Sequence, residues 1–576
     1  MGIRHLQTFM EKNLQNGTYS VQMEREICNA KTSTEKPLIV IELMALFGLF
    51  CSDSRGSLCG MQIRRAERTI DLFFQRLTDT GAELVFFMNG QLKVRNYDTW
   101  ITRQNNKYDL MIEILDAIDA REPLEKVAAK YERNMPSNTS LKLRRVAKQH
   151  GKVIFTTELE CDQALAIYAT KHNALAVITH NTDFLIFAGN WQLWHANRIN
   201  PTTLVAEAFN RQALLQTLGL QRQQMAIWAT LAGNKFVKYD ELEPFLNDLG
   251  PHHQKFTKLA EYVRRLPITK QLDASTVHSI LERVYRNRRL PTEAFEWFQQ
   301  SVAFYQIEPP STATQLTVED PFSFLIQAEQ IFAYRILTGM PIHSALAFFD
   351  YRSTELGNYF AIIEPIVARW GGVLLYHHRQ ERQHVTLVVK RDHYDSYTFV
   401  DVPVVLPSTL RPPKVENLIS KDPKLVKSLL KRKLQLLRWV CSDDLIDQEQ
   451  LNFTPSSLLL TVLVLYRLRQ YGAISMFEVN LLLLIAHQVS MDMYDPAEEP
   501  YPERLDSRAF RIGFLFQQVY SHFERVAKTL CLPEEYLVSA PYDGLRFHNY
   551  YSMWTSAHIE PRHMKIIENW RFNQLA

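Results

Sequence analysis

The sequence predicts an α/β fold, a parallel sheet covered by helices over residues 1–265, followed by a mainly α-helical region over 266–576 with a small β meander at 373–406. Three observations carry this. Short apolar runs alternate with helix-spaced patterns through the first 265 or so residues. From about residue 270 long helical patterns take over. Acidic residues stand where strands end and helices begin, the edge of a parallel sheet where ligands bind.

The elements follow in order. Pro37 to Ile41 is a short apolar run after a polar loop and reads as the first buried strand. Ile63 to Leu77 places Ile63, Ala66, Ile70, Phe73, Phe74 and Leu77 at helical spacing. Glu83 to Met88 is a second strand ended by Asn89-Gly90, and Tyr108 to Ile118 is helical. Lys152 to Phe155 is a third strand. A helix beginning around Glu158, Glu160 and Asp162 comes next, and then the strand Ala174 to Ile178. Beyond 270, helices are expected at Ala274–Arg288, Ser323–Leu337, Pro423–Trp439, Ser456–Gln470 and Met476–Ser490. Val373–Tyr376, Val385–Lys390 and Tyr397–Val405 form the expected meander.

Composition narrows the class. At 576 residues the chain exceeds one ordinary core, so two or three domains are expected. Six cysteines without a CxxC pair fit a reducing compartment rather than a disulfide framework or a zinc site. No apolar segment follows the charged N-terminus, and the longest apolar stretch, Leu458 to Tyr466, stops at Arg467, too short to span a bilayer. The expectation is an intracellular, non-secreted protein, nuclear and/or cytoplasmic, with no membrane partner. A net charge of +3 neither requires nor excludes nucleic acid, so any basic footprint is local.

The chemistry-bearing segment is Thr157 to Asp162, followed about twenty residues on by Val177 to Phe187 with Asp183 just past a strand. Carboxylates at a helix start and a strand end can converge, as hard divalent metals require, and two metals about 4 Å apart drive phosphodiester hydrolysis. With Met1-Gly2-Ile3-Arg4-His5-Leu6, which matches a Met-Gly-Ile-x-Gly-Leu opening except at His5, these residues resemble the XPG and flap-endonuclease branch of the PIN-like superfamily over roughly 1–265. Glu83 to Gly90, Asp98 to Gln104 and Ala229 to Asn234 resemble more closely the constitutive coactivator of peroxisome proliferator-activated receptor gamma family and its asteroid relatives.

The resemblance implies an acidic site, and here that site is depleted. Ile41 stands at the best-aligned first-strand position, with Glu42 beside it. Asn89 and Asn181 replace acids, while Glu158, Glu160 and Asp183 are kept. After Gly233-Asn234 comes Lys235, and no Gly-Ile-Gly-like hairpin follows. A cation placed where a cation should bind costs about 1 kcal/mol in water and several at lower dielectric. Lys235 is therefore expected beside a retained carboxylate. Glu158, Glu160 and Asp183 serve as metal ligands only in the alternative reading; otherwise they are a vestigial cluster, since acids favour a helix's first turn in any case.

Lys142, Arg144, Arg145, Lys148 and Lys152, with His150, form a basic segment that offers phosphate contacts or a solvated helix face. Lys424, Lys427, Lys431, Arg432 and Lys433 form a second one. His377, His378, His384 and His393 lack metal-ligand spacing, and the leucine runs at 458–460 and 481–484 read as core. The resemblance, not the composition, implies the expected function: a non-catalytic nucleic-acid-binding protein, RNA more than DNA, or a protein-interaction scaffold such as a transcriptional coactivator, with no cofactor. The alternative is a structure-specific nuclease using Mg²⁺ or Mn²⁺, with Glu42, Asp53 or Asp162 replacing lost ligands. The lost acids weigh against an enzyme.

Overall fold

The computed structural model describes residues 2–32, 35–50, 53–90, 96–131, 140–156, 159–266, 273–286, 288–307, 321–344, 349–378, 380–442, 454–538 and 541–557. The chain forms two compact units, and neither is a continuous stretch. The first comprises Met1–Phe50, Thr69–Gly90 and Leu143–Leu316; the second comprises Cys51–Arg68, Gln91–Lys142 and Thr317–Ala576. The contacts thus do not divide the chain at 265. The helices Tyr97–Asp119 and Leu124–Tyr131 lie in sequence between sheet strands but bury Met111, Ile114 and Leu124 in the second unit's core. Conversely, Ala274–Val284 and Ala294–Tyr305 bury Ile280 and Phe298 in the first.

The first unit is built on a seven-stranded sheet in the order β1-β7-β6-β5-β2-β3-β4. Its strands are β1 (Thr18–Gln22), β2 (Leu38–Glu42), β3 (Glu83–Asn89), β4 (Gly151–Thr156), β5 (Ala176–Thr179), β6 (Gln192–Asn200) and β7 (Val205–Phe209). β6, β5, β2, β3 and β4 pair in parallel, and β7 pairs antiparallel with β6 and β1. The chain moves from β2 to β3 and β4, then returns to the other side of β2 for β5. The order therefore reverses between β2 and β5, the position at which such sheets hold ligands.

β2 is buried on both faces, and its side chains alternate. Ile39 and Ile41 enter one layer with Phe74, Phe86, Ile178 and Trp194. Val40 enters the other with Leu165, Val177, Phe184 and Trp228. Glu42 has the parity of Val40 and ends the strand on that second side.

The second unit is helical around Tyr359–Leu374, Leu459–Gln470, Met476–Ser490 and Ser507–Thr529. The leucine runs are core: Leu458, Leu459, Leu460, Leu481, Leu482 and Leu483 are all buried. Arg467 is buried too, donating to the Ile362 carbonyl at 3.2 Å and to the Tyr471 hydroxyl at 3.1 Å. The expected Ser323–Leu337 helix is two, Ser323–Gln327 and Ile331–Thr338, broken where Glu329 takes a φ of +59°.

The β meander needs correction. Residues 373 and 374 end the Tyr359–Leu374 helix. The small sheet is β8 (Ile342–His343), β9 (His384–Val389) and β10 (Thr398–Pro403), with β8 parallel to β9. Val373 and Leu374 are apolar because a helix interior buries them, a cause that a four-residue run cannot distinguish from a strand. No helix among the described residues is long and apolar enough to cross a membrane.

Candidate functional site

At the β2–β5 reversal the carboxylates gather. Glu42 ends β2, 4% exposed, and accepts a 2.5 Å hydrogen bond from Thr179 Oγ1 at the end of β5. Burial first, then the nearby Asp162 charge and that of Asp183, push its carboxyl up to about 7 against the Thr179 bond. Ile41, expected at this position, points into the opposite layer. A one-residue offset in a strand exchanges faces, so it is Glu42, not Ile41, that ends β2 where the charges of Asp162 and Asp183 reach it.

Asp183 is 2% exposed on a short 3-10 turn, Thr182–Leu185. Asn181 accepts the Asp183 backbone N–H at 3.1 Å, so the oxygen that Asn181 keeps is spent on its own turn. The other side of the turn is held by the N-terminal segment, where Ile3 N donates to Thr182 Oγ1 at 2.9 Å. A Cβ on Gly2 would stand 2.4 Å from Asn181 Oδ1, so only glycine fits. His5, where the resemblance expects glycine, has a φ of +68°, the left-handed conformation that glycine adopts freely.

Three residues close over the acids from a helical subdomain. Lys235 Nζ donates to Glu160 Oε2 at 3.2 Å, lies 3.6 Å from Asp162 Oδ2, and sits 3.9 Å from the centre of the Phe304 ring. Glu160 is the residue just before the Cys161–Lys171 helix, and Asp162 lies in its first turn. Tyr305 donates to Asp183 Oδ1 at 2.6 Å. Burial and then the Asp162 charge push Asp183 up to about 6, opposed by the Tyr305 bond and by Lys235.

Behind Tyr305 runs a buried polar chain. Asn234 Nδ2 donates to Ser301 Oγ at 2.7 Å and to the Tyr305 hydroxyl at 3.3 Å, and Thr230 and Ser301 hydroxyls bond at 2.7 Å. Asn234 Oδ1 accepts the backbone N–H groups of Phe236 and Val237, which fixes the loop that presents Lys235. Gly233 has a φ of +91°, and a Cβ there would meet the Tyr239 backbone at 2.8 Å. Sequence reading missed Tyr305 and Ser301, which lie on the Ala294–Tyr305 helix, in the stretch assigned to the other half of the chain; among its other polar residues, Glu296, Gln299 and Gln300, nothing marked them out.

The remaining candidates sit elsewhere. Asn89 is exposed, paired in register with Thr156, and does not join the cluster. Glu158 lies outside the described residues. Asp53 belongs to the second unit and accepts from the Tyr501 hydroxyl at 2.8 Å. Among the described residues no three His, Cys, Asp or Glu side chains converge to hold one metal ion. The ammonium engages one oxygen each of Glu160 and Asp162, and the phenol one oxygen of Asp183. With Lys235 and Tyr305 so placed, the described residues offer no ready ligand set for Mg²⁺ or Mn²⁺.

The basic segment forms the helix Ser140–His150, whose apolar side, Leu143, Val146 and Ala147, is buried. Lys148 and Lys152 are exposed, and Arg145 is half-buried. Arg144 lays its guanidinium over the Phe155 ring at 4.6 Å, and His150 bonds Asp71 at 2.7 Å. The Lys142 side chain lies outside the described residues. In the second basic helix, Pro423–Ser442, Lys424, Lys427, Lys431 and Arg432 are exposed. Lys433 is not part of that surface: it is 1% exposed and donates to the Leu418 and Cys531 carbonyls at 3.0 and 3.1 Å. The four histidines serve separate partners; His377 bonds the Pro412 carbonyl and His393 the Tyr108 hydroxyl.

Comparison with known proteins places this geometry. Residues 218–309 match the FAM120A-like domain. That stretch contributes Asn234, Lys235, Ser301, Phe304 and Tyr305, the groups that close over the acids. Over 251 residues the chain is 24% identical to the constitutive coactivator of peroxisome proliferator-activated receptor gamma of Bos taurus, covering 42% of this chain and 35% of that protein. The Homo sapiens protein of that name is also 24% identical, over 42% of this chain and 27% of its own length. The match thus spans about a third of these relatives. Among solved structures, the catalytic core of Rad2 in complex with DNA substrate aligns at a TM-score of 0.30 and 14% identity, over 54% of this chain and 88% of that one. Human GEN1 in complex with Holliday junction DNA aligns at 0.28 and 12%, over 76% and 99%. Scores this low add nothing to what the strand order already says. The resemblance to the coactivator family read from the sequence is matched by these relatives.

Proposed function

We propose that this protein is a non-catalytic relative of a nuclease fold that binds nucleic acid, RNA in preference to DNA, or holds protein partners as a coactivator does, with a nuclear site of action. One observation carries the reading: Lys235 Nζ lies 3.2 Å from Glu160 and 3.6 Å from Asp162, so a side-chain cation takes the place of a metal. Tyr305 on Asp183 acts in the same sense. A sheet edge whose charge is neutralised from within keeps its shape without a cofactor, and the surface around it remains free to bind. The name of the curated relatives supports a role in protein assembly, and the exposed Lys148 and Lys152 beside Arg145 support contact with phosphates.

The test has two arms. Purified protein is incubated with flap, hairpin and single-stranded substrates in Mn²⁺; no cleavage is expected. Binding of structured RNA is expected to fall steeply with salt. Changing Arg144, Arg145 and Lys148 together to Glu should weaken it at least tenfold, about 1.4 kcal/mol. Unchanged RNA affinity moves the contact to Lys427, Lys431 and Arg432, and no binding at low salt leaves protein scaffolding. One observation favours a second reading, a metal-dependent nuclease: Glu42 places a buried carboxylate at the end of β2. Metal-dependent cleavage lost in Glu160→Gln establishes that reading instead.

A further inference from the structure

The helical unit holds two arginines, Arg335 and Arg525, that form no ion pair among the described residues, although the charge of the neighbouring Glu524 reaches Arg525. Arg335, on the Ile331–Thr338 helix, is 5% exposed, its Nε has no hydrogen-bond partner, and it has no ion pair among the described residues. One turn earlier on the same face, Phe332 lies under the Arg525 guanidinium, 4.9 Å from its ring centre. Arg525, on the Ser507–Thr529 helix, donates Nη1 to the His343 carbonyl at 3.2 Å and leaves a buried Nε unbonded. His343 ends β8 with both ring nitrogens buried and unbonded. Its ring lies 4.6 Å from Trp100 and 5.6 Å from Tyr97. Tyr397, which packs on Trp100 at 5.9 Å, has a buried hydroxyl without a partner.

These groups act on one another. Burial, then Arg335 and Arg525, hold His343 down to about 3, so its ring is neutral and one nitrogen donates. Arg335 also lowers Arg525. Acids are not scarce in this unit. Arg508 pairs with Glu478 at 2.6 Å, Arg511 with Asp350 at 3.3 Å, and Arg352 with Asp116 at 2.8 Å. Glu524, the chain neighbour of Arg525, pairs with Lys528 at 2.7 Å. A buried cation without an ion pair opposes folding by several kcal/mol, so Arg335, close enough to Arg525 for its charge to lower it and with an unbonded buried Nε on each, describes a place prepared for an anion.

We propose that Arg335, Arg525 and His343 form a binding site for the phosphate group of a small molecule. Two guanidiniums match the double charge of a phosphate dianion better than the single charge of a carboxylate, and forked N–H donors suit its oxygens. Trp100 and Tyr97 supply an aromatic wall for whatever carries the phosphate. The depth of Arg335 suits a small ligand rather than a chain of phosphates.

The test titrates the full chain with sodium phosphate at pH 7.5, against sodium chloride at matched ionic strength, following thermal unfolding and tryptophan fluorescence. A parallel arm uses adenosine 5′-monophosphate. Saturable stabilisation by phosphate beyond that of chloride is expected, and Arg335→Met and Arg525→Met should each weaken it at least tenfold. Tighter binding of the nucleotide assigns the site to a phosphomonoester; equal binding assigns it to free phosphate. Without ligand, Arg335→Met should melt no lower than the wild type, because the uncompensated charge is gone, so the variant is available for measurement. Absence of a saturable effect of either compound in the wild type, or affinity unchanged in both variants, overturns the proposal.

Discussion

Replacing Glu42 by Gln should remove a large part of this protein's pH-dependent instability. The Glu42 carboxyl is buried and sits at about 7, against an ordinary value near 4.5 in the unfolded chain. The folded state therefore holds the proton more tightly than the unfolded state. Stability is greatest where Glu42 is protonated and is lost as pH rises from about 4.5 through 7; beyond 7 the loss is complete. At about 1.4 kcal/mol for each pH unit in that window, the whole loss is about 3 kcal/mol. Asp183, raised to about 6 from 3.8, acts in the same direction with about the same weight. Glutamine keeps the shape and an oxygen to accept the Thr179 hydroxyl, but it cannot ionise. Urea unfolding at pH 5, 6, 7 and 8 and constant ionic strength checks this. The wild type should lose about 4 kcal/mol from pH 5 to 8, whereas the variant should lose about a third as much, since most of the Asp183 loss lies below pH 5, and be the more stable protein at pH 8. A variant that parallels the wild type at every pH would refute the placement of Glu42 as a buried, proton-holding group.

Three other outcomes follow from the same geometry. Lys235→Ala leaves Glu160 and Asp162 unneutralised, so 10 mM MnCl₂ should stabilise the variant by about 1.4 kcal/mol for a Kd of about 1 mM; equal stabilisation of the wild type would show that Lys235 does not guard the acids. Tyr305→Phe removes the 2.6 Å donor to Asp183 and should cost about 1–3 kcal/mol at pH 8. At pH 5, where Asp183 is protonated, the cost should be smaller, and an equal loss at both pH values would separate Tyr305 from the Asp183 charge. Lys433→Met strands two buried carbonyls and should cost about 1–3 kcal/mol in urea melts, against about 0.5 kcal/mol or less for the exposed Lys431→Met; similar costs would mean the buried bonds contribute nothing.

What the sequence made legible was local. The runs at Leu38 and Ala176, and the middle of the run at Glu83, are strands because a central parallel strand is apolar where both its faces are buried, whereas the run at Lys152 is an edge strand only partly buried. Met476–Ser490 has the bounds expected from its helical pattern, and the structure shows why it starts there: Ser475 and Glu478 form a capping box. The cationic residue at 235 was correctly expected beside an acid. The choice between Ile41 and Glu42 was not legible, because only the partner strands set which face a side chain takes. Tyr305 and Ser301 were out of reach for a different reason: no short-range pattern ties them to Asp183, 122 residues away for Tyr305. The insertion of Tyr97–Asp119 into another unit was hidden because an amphipathic helix shows what it buries, not against what.

The interleaving of the two units has a consequence for synthesis. Gln91–Lys142 leaves the ribosome well before the segment that completes its unit, which begins at Thr317. The 174 residues between Lys142 and Thr317 take roughly 10–35 seconds to translate at ordinary speeds. Throughout that interval Met111, Ile114, Leu115 and Ile118 have no native partners from the later helices and stay open to chaperones or to wrong partners. The sheet strands avoid part of this delay, since all seven have been translated once Phe209 is made. Slowed translation after residue 142 should therefore harm the yield of the helical unit more than that of the sheet.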